Sequence, residues 1–342
     1  MTKTPSIKSR KTLHLKYALD ENSQGGDTGL DQVQLPYHAL SGQDLNKIDL
    51  STTFLDKKIN APFFISCMTG GPDKAALINQ RLAKAAQKYR IPMGLGSLRI
   101  VLKHPETLPT FQIRKYAPDI PLMANLGAVS LNYGLTWKDC QKVVDLTGAD
   151  ALVLHLNPLQ EALQLGGDTN FTNLLPKIEH IVKKMSVPVI VKEVGHGIDY
   201  QTALQLFKIG VNIIDTAGTG GTSWAWIEAQ IAGDTRRADL FKTHGISTYD
   251  SIHQCLQAIT DFSSIGSPRR WNSSNTKKQG PIILGSGGIR TALDIARCIH
   301  LGCYLAGFAR PFLLSALKSQ EDVEKLIENL MDDLRVVRYF TE

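Results

Sequence analysis

The chain has 342 residues, of which 43% are hydrophobic, so it can bury a large core in one α/β domain or in two ordinary ones. Its net charge of +6 is modest, and 38 basic residues are spread among 32 acidic ones, which argues against nucleic acid as a partner and favours small anionic ligands. The five cysteines lack CxxC spacing, and neither a signal peptide nor a membrane-length apolar stretch is visible. We therefore expect a reduced, soluble, cytoplasmic protein.

Residues 1–60 precede the first strand-like run and are predicted to form an N-terminal extension. Within it, "SRKTLH" places Arg10 and His14 four residues apart, with Lys11 adjacent, so a helix would carry these cations on one side. Two interpretations remain open from the residues alone. The cluster is a solvated surface, or, if the extension folds over the mouth of a barrel, it binds an anion such as a diphosphate.

Eight short apolar runs follow, and each precedes a longer amphipathic segment. They are too short for helices and apolar on both faces, which is typical of parallel strands covered by helices. Eight such units favour a (β/α)8 barrel, an α/β fold spanning residues 61–342, over an open Rossmann sheet. The runs begin at Ala61, Pro92, Pro121, Ala151, Pro188, Asn212, Pro281 and Leu305.

Two intervals between these runs are too long for simple turns, residues 218–245 and residues 261–280. The second is polar, basic and rich in Ser and Asn, so we expect an insertion at about 262–280, before the seventh strand.

Polar residues and glycines follow the apolar runs repeatedly. In a barrel of this kind the chemistry lies at the carboxyl ends of the strands, so these positions are predicted to surround one site. They are Thr69, Gly70, Gly71, Ser97, Arg99, Asn125, His155, Asn157, Lys192, Glu193, Thr222, Gly287, Gly288 and Arg290.

Two glycine-rich segments, "GTGGTS" (218–223) and "GSGGIR" (285–290), would present backbone N–H groups beside helix starts, where a phosphate binds well. Either could be a set of turn glycines, but two together late in a barrel favour a phosphate site. Lys192 ends "VIVK" and would reach the barrel mouth, where it needs a negative partner. It pairs with Glu193 or another carboxylate, or it stabilises charge at N1 of a reduced flavin, with Ser97 and Asn125 nearby.

The stretch "HLNPLQE" ends an apolar run with four polar residues. Strand alternation sends His155 and Asn157 to one side, and Pro158 would end the strand, with Gln160 and Glu161 in the loop above. Such groups without a nucleophilic thiol or hydroxyl suit proton transfer beside a divalent metal. A single Glu indicates Mg²⁺ held mainly by ligand phosphates and water.

Several motifs together resemble the type 2 isopentenyl diphosphate isomerases over about residues 9 to 317. They are "SRKTLH", "CMTGG", "GLGSLR", "ANLGA", "HLNPLQE", "VKEVGHGI", "DTAGTGGTSWAWIE" and "GSGGIR". The resemblance implies an enzyme that interconverts isopentenyl and dimethylallyl diphosphate in isoprenoid biosynthesis, using Mg²⁺ and FMN reduced by NADPH. It also implies a homo-oligomer, a dimer-based tetramer or octamer.

Site residues carried over from that family fall into three groups. Those expected to contact FMN or its phosphate are Met68, Thr69, Ser97, Asn125, Lys192, Ala217, Thr222, Gly288, Ile289, Arg290, Ala309 and Arg310. Those expected to hold the substrate diphosphate are Arg10, Lys11, His14 and Arg99, with His155 and Asn157. Gln160 would lie near the alkene and act with His155 and Asn157 in catalysis, and Glu161 would bind Mg²⁺.

Two segments depart from the family pattern, "THGIST" (243–248) and the polar C-terminal "RVVRYFTE". The rival interpretations are an FMN oxidoreductase of the 2-hydroxy-acid oxidase or inosine-monophosphate dehydrogenase kind, and a non-catalytic flavin-binding barrel. The first would need a His after the seventh strand or a Cys after the sixth, and neither "GSGGIR" nor "GTGGTSWAW" supplies one.

Overall fold

The computed structural model describes residues 6–264 and 280–341. Eight parallel strands close into a barrel, which confirms the predicted (β/α)8 fold. A two-stranded antiparallel hairpin, β1 (Thr52–Phe54) and β2 (Lys57–Ile59), precedes it. The barrel strands are β3 (Phe63–Ile65), β4 (Met93–Gly94), β5 (Leu122–Gly127), β6 (Ala151–His155), β7 (Val189–Lys192), β8 (Ile213–Asp215), β9 (Ile282–Ser286) and β10 (Leu305–Phe308).

Helices follow the strands and one precedes the hairpin. They are α1 (Ile7–Ala18), α2 (Asp73–Tyr89), α3 (Arg99–Lys103), α4 (Trp137–Thr147), α5 (Pro158–Leu163), α6 (Leu174–Lys184), α7 (Tyr200–Lys208), α8 (Trp224–Ala232), α9 (Thr235–Phe241), α10 (Thr248–Ser264), α11 (Ala292–Leu301), α12 (Arg310–Lys318) and α13 (Gln320–Thr341). All eight predicted apolar runs therefore contain a barrel strand.

Strand alternation divides the core into two clusters. Outward residues such as Leu154 and Val191 pack against the helices in the larger cluster, while inward residues such as Val153, Ile190 and Leu284 fill the barrel interior. Phe54 and Ile59 of the hairpin join the inner cluster and plug the amino-terminal end of the barrel. Both faces of each strand are thus buried, which explains why the runs are continuously apolar.

Polar side chains replace this apolar filling at the other end of the barrel. In five strands, the inward residue that lies two positions after an apolar one is polar. The pairs are Met123 and Asn125, Val153 and His155, Ile190 and Lys192, Ile213 and Asp215, and Leu284 and Ser286. Because alternate residues of a strand face the same way, one inward layer changes from apolar to polar. This polar layer is the floor of the site.

Several predicted segments differ from expectation in detail. The interval 218–245 contains helices α8 and α9, and α10 extends to Ser264, so most of the expected insertion, residues 265–279, lies outside the described residues. Residues 335–341 of the polar C-terminal sequence belong to the amphipathic helix α13, which buries Leu330, Leu334 and Val337. Across the described chain, every helix is too short or too polar to cross a membrane.

Candidate active site

A cavity of about 300 Å³ opens at the carboxyl ends of the strands. It brings together every side chain and backbone position that the sequence assigned to flavin, substrate or metal. The lining includes Arg10, Lys11, His14, Met68, Thr69, Ser97, Arg99, Asn125, His155, Asn157, Gln160, Glu161, Lys192, Ala217, Thr222, Gly288, Ile289, Arg290, Ala309 and Arg310.

The two glycine-rich segments meet backbone to backbone at one side of this cavity. A Cβ on Gly221 would lie 2.7 Å from the Gly288 nitrogen, and Gly288 has a φ of +68°, so neither position accepts a side chain without strain. Within the described chain, the hydrogen bonds leave the N–H groups of Gly288 and Ile289 without a protein acceptor. Free N–H groups before α11 form a cradle that fits a phosphate.

Two arginines border this cradle and tie it to the N-terminal extension. Arg290 donates to the carbonyls of Gly220 (2.9 Å) and Gly288 (2.7 Å) and to Gln24 Oε1 (2.8 Å). Arg310 donates to the Leu19 carbonyl (2.9 Å) and also contacts the extension through Ala18 and Glu21. Their positive charges favour an anion between them.

Lys192 is buried in the polar floor. Its Nζ donates to the main-chain oxygen of Glu193 (2.5 Å) and lies 3.7 Å from Asp215 Oδ2. Asp215, which the sequence analysis did not single out, is therefore its carboxylate partner. The Glu193 carboxylate instead accepts the N–H groups of Val194, Gly195 and His196 and shapes the loop after β7.

His155 lies beside Lys192 and is held neutral. Burial, with the nearby charges of Lys192, Lys11 and Arg99, lowers the pKa of His155 from 6.5 to about 3. Its Nδ1 lies 2.9 Å from Asn125 Oδ1. Since an amide oxygen only accepts hydrogen bonds, Nδ1 carries the hydrogen and Nε2 keeps its lone pair.

The "HLNPLQE" residues converge, but Gln160 and Glu161 occupy the short helix α5, where a loop was predicted. Strand β6 ends at His155, and Pro158 begins the helix because a helix start does not need its missing N–H. Asn157 Nδ2 donates to Gln160 Oε1 (3.1 Å) and to Glu161 Oε1 (3.0 Å). Asn157 thus fixes both neighbours toward the cavity, and its own buried Oδ1 has no protein partner in the described chain.

Helix α1 brings the predicted cation cluster to the mouth of the cavity. Arg10 Nη2 donates to the Leu165 carbonyl (3.0 Å), and Lys11 Nζ donates to the Ser97 carbonyl (3.0 Å). Of the two interpretations of this cluster, the structure favours anion binding, because Arg10, Lys11 and His14 all line the cavity. Burial also lowers the pKa of Lys11 from 10.5 to about 7.

Two further acids support the site and were missed. Glu228 on α8 is almost fully buried, and its Oε1 receives Gln160 Nε2 (3.0 Å) and lies 2.8 Å from His14 Nε2. Asp168 forms an ion pair with Arg99, and its N–H donates to Glu161 Oε2 (2.7 Å). Glu228 stands in the apolar "WAWIEAQ", where a lone acid is a usable signal, whereas Asp168 lies in an ordinary polar loop.

The lowered pKa of Lys11 predicts how the affinity for a diphosphate depends on pH. Above pH 7 the free amine is mostly neutral, and a bound diphosphate favours the ammonium, so binding takes up a proton there. The contribution of Lys11 to the binding constant is complete below the pKa that Lys11 has in the unliganded protein. As the pH rises above this pKa the contribution is lost, and the binding constant falls by up to about tenfold per pH unit. Calorimetry with pyrophosphate in buffers of different ionisation enthalpy measures the proton uptake.

Lys11→Arg is the control for that experiment, because a guanidinium stays charged throughout this range. The variant shares the titration of pyrophosphate itself, so the difference between the two proteins isolates Lys11. Equal proton uptake in both would contradict the prediction.

The donors in the cavity fit FMN and Mg²⁺ in different ways. The glycine cradle with its free N–H groups and two arginines fits a flavin phosphate, and the polar floor around Lys192 fits the ring. In the described residues no three acids, histidines or cysteines cluster to hold a metal by themselves. Glu161 with the unpartnered Asn157 Oδ1 supplies oxygen donors for Mg²⁺ that arrives with a diphosphate.

The architecture and the cradle define a flavin-binding (β/α)8 barrel. Residues 167–337 match the model of the FMN-dependent dehydrogenase family. The flavin-binding domain of baker's yeast flavocytochrome b2 superposes with a TM-score of 0.65 at 17% identity, over 97% of this chain and 79% of that one. A mandelate oxidase gives a TM-score of 0.60 at 15% identity, over 98% and 95%. At these identities the likeness shows the fold alone.

Sequence relatives are far closer. The chain is 46% identical to isopentenyl-diphosphate delta-isomerase of Synechococcus sp., over 98% of this chain and 93% of that protein. Identities to the proteins of the same name from Rickettsia bellii and Nostoc sp. are 44% and 43%, over 97% of this chain and 93% and 91% of theirs. The chain belongs to the FMN-dependent, type 2 family of isopentenyl-diphosphate delta-isomerases, as the motifs predicted.

Proposed function

We propose that this protein interconverts isopentenyl and dimethylallyl diphosphate, with FMN in the cavity. The observation that carries the proposal is the presence of two separate groups of basic residues around one cavity. The glycine cradle with Arg290 and Arg310 lies on one side, and the cluster of Arg10, Lys11 and Arg99 with Glu161 lies on another. One fits the cofactor phosphate and the other fits a substrate diphosphate.

The reaction moves a double bond by adding a proton at one carbon and removing another from its neighbour, so it involves no net redox change. When bound, reduced FMN supplies an electron-rich ring that stabilises positive charge on the alkene and an acid/base edge at N5 or N1. The residues of the chain place the substrate. Arg10, Lys11 and Arg99 would hold its diphosphate, and Glu161 would bind Mg²⁺, which would supply further positive charge to that group.

Gln160 lies beside the alkene in this proposal. Its amide is fixed at both ends, by Asn157 at Oε1 and by Glu228 at Nε2, so its orientation is set before the substrate arrives. Over it, His14 packs edge-on against Trp224 with ring centroids 5.0 Å apart and helps exclude water from a reactive cation.

Incubation with isopentenyl diphosphate, FMN, Mg²⁺ and NADPH tests the proposal. We expect dimethylallyl diphosphate to accumulate without stoichiometric oxidation of NADPH, because the nicotinamide serves only to reduce the flavin. Omission of FMN, and separately of Mg²⁺, provides the controls. No product, or one nicotinamide oxidised per product, would contradict the isomerase assignment.

Mg²⁺ dependence, reduction by NADPH, a role in isoprenoid biosynthesis, cytoplasmic location and a homo-oligomeric state are parts of this proposal. They come from the family resemblance, and they stay predictions. An N-terminal extension of residues 1–60 that folds over the mouth of a barrel of residues 61–342 is likewise proposed. The position of α1 at the cavity supports it, whereas the hairpin of residues 52–59 lies at the opposite end of the barrel.

A further inference from the structure

An acid lies beneath the lysine of the cavity floor and has no part in the substrate-binding groups. Asp215 is 3% exposed and is not among the residues that line the cavity, whereas Lys192 is. Strand register pairs Lys192 directly with Asp215 across β7 and β8. Lateral neighbours on parallel strands point the same way, so the carboxylate is built to face the ammonium inside the barrel.

The carboxylate is engaged on both of its oxygens. Oδ2 lies 3.7 Å from Lys192 Nζ, and Oδ1 accepts a hydrogen bond from the Ser286 hydroxyl. Three neighbouring strands, β7, β8 and β9, therefore contribute one connected row of side chains. Lys192 and Ser286 face the cavity from this row, and Asp215 lies between and behind them.

The other titratable side chains of this floor are neutral near pH 7. Burial raises the pKa of the Cys67 thiol to about 11 and lowers that of His155 to about 3. Lys192 and Asp215 form the ion pair of this floor. In a buried site each charge has a much larger effect than in water.

We propose that Asp215 is a positioning residue that acts through Lys192: its carboxylate holds the ammonium at the flavin edge and balances its charge, which keeps the reduction potential of bound FMN lower than the lysine alone would set it. A lower potential means a more electron-rich reduced ring. An isomerase whose flavin stabilises positive charge on an alkene benefits from that property, because an electron-rich ring interacts more favourably with a developing cation. This inference rests on the proposed binding of FMN.

Asp215→Asn in the FMN-loaded protein is the test. Potentiometric titration with dithionite supplies two electrons to the flavin, which takes up one proton when it becomes the anionic reduced form. Loss of the carboxylate leaves the charge of Lys192 unbalanced and stabilises the anionic reduced ring. We expect this stabilisation to be at least tenfold, a rise of about 30 mV for a two-electron couple.

Two further variants separate charge from structure. Ser286→Ala removes a hydrogen-bond donor that offsets part of the negative charge of Asp215, so the reduction potential should fall. This variant also tests the proposal if Asp215→Asn does not fold. Thr147→Val removes a buried hydroxyl that donates to the Val143 carbonyl on α4, away from the cavity lining. It should lower the melting temperature and leave the potential unchanged.

The inference fails if wild type holds FMN and isomerises the substrate while Asp215→Asn leaves the potential unchanged or lowers it. It also fails if Ser286→Ala leaves the potential unchanged or raises it. A wild-type protein that does not bind FMN would instead overturn the proposed function, so the two failures are distinguishable.

Discussion

Replacement of Glu161 by glutamine should reduce Mg²⁺-dependent isomerisation by about 100-fold or more while the protein remains yellow. A metal that stabilises a bound diphosphate contributes several kcal/mol, and each 1.4 kcal/mol corresponds to about tenfold in rate. The carboxylate accepts hydrogen bonds from Asn157, Gln164 and the Asp168 N–H, so glutamine would lose the charge and also direct an amide N–H toward one of these donors. Activity measured against Mg²⁺ concentration, together with the flavin spectrum, checks both parts.

Gln164→Met is the matched control for this change. It removes one donor to Glu161 Oε2 but keeps the charge, and loss of a group that only orients a metal ligand costs about 10- to 100-fold in metal affinity or activity. We expect Gln164→Met to be restored substantially by excess Mg²⁺ and Glu161→Gln not to be. Full activity of Glu161→Gln at limiting Mg²⁺ would exclude the metal assignment.

Lys192→Ala should lose both flavin affinity and stability. In the proposed complex the ammonium would donate a charged hydrogen bond to the ring, so FMN should bind about 10- to 100-fold more weakly to the variant. Asp215 would be left as a buried charge without its partner, which costs about 3 kcal/mol or more of unfolding free energy. Flavin release during dialysis and denaturant unfolding of the apoprotein measure the two effects separately.

The double variant Lys192→Met with Asp215→Asn tells those two effects apart. It removes the charged pair as a unit, so the apoprotein should regain most of the lost stability. The flavin affinity should stay low, because the ammonium is still missing. Recovery of flavin affinity in the double variant would show that Lys192 acts only by neutralising Asp215.

The barrel could be predicted from sequence because its physical cause is local. Strands covered on both faces read as short continuous apolar runs, and Val153 and Leu154 are both buried although they point to opposite sides. The same logic located the polar strand ends, from Asn125 to Lys192. It would have located Asp215 too, since "IID" ends a run in the same manner.

Other parts of the site depend on contacts between distant segments. The hydrogen bond between Glu228 and Gln160 joins positions 68 residues apart, and the local sequence around neither residue predicts this contact. The helical position of Gln160 and Glu161 does not follow from the sequence, because Pro158 is compatible both with the end of a strand and with the first position of a helix. Asp168 gave no local signal, because its importance comes from Arg99 and Glu161, which meet it only in the fold.

Arg290 and Arg310 join the phosphate cradle to the N-terminal extension, through Gln24 on one side and Leu19 on the other. If the extension in this position strengthens cofactor binding, then by thermodynamic reciprocity the bound cofactor stabilises the extension by the same free energy. Because α1 of that extension carries Arg10 and Lys11, cofactor bound at the proposed phosphate cradle would also help to order these two cations. In the proposed enzyme the two arginines would thereby couple cofactor loading to readiness for the substrate.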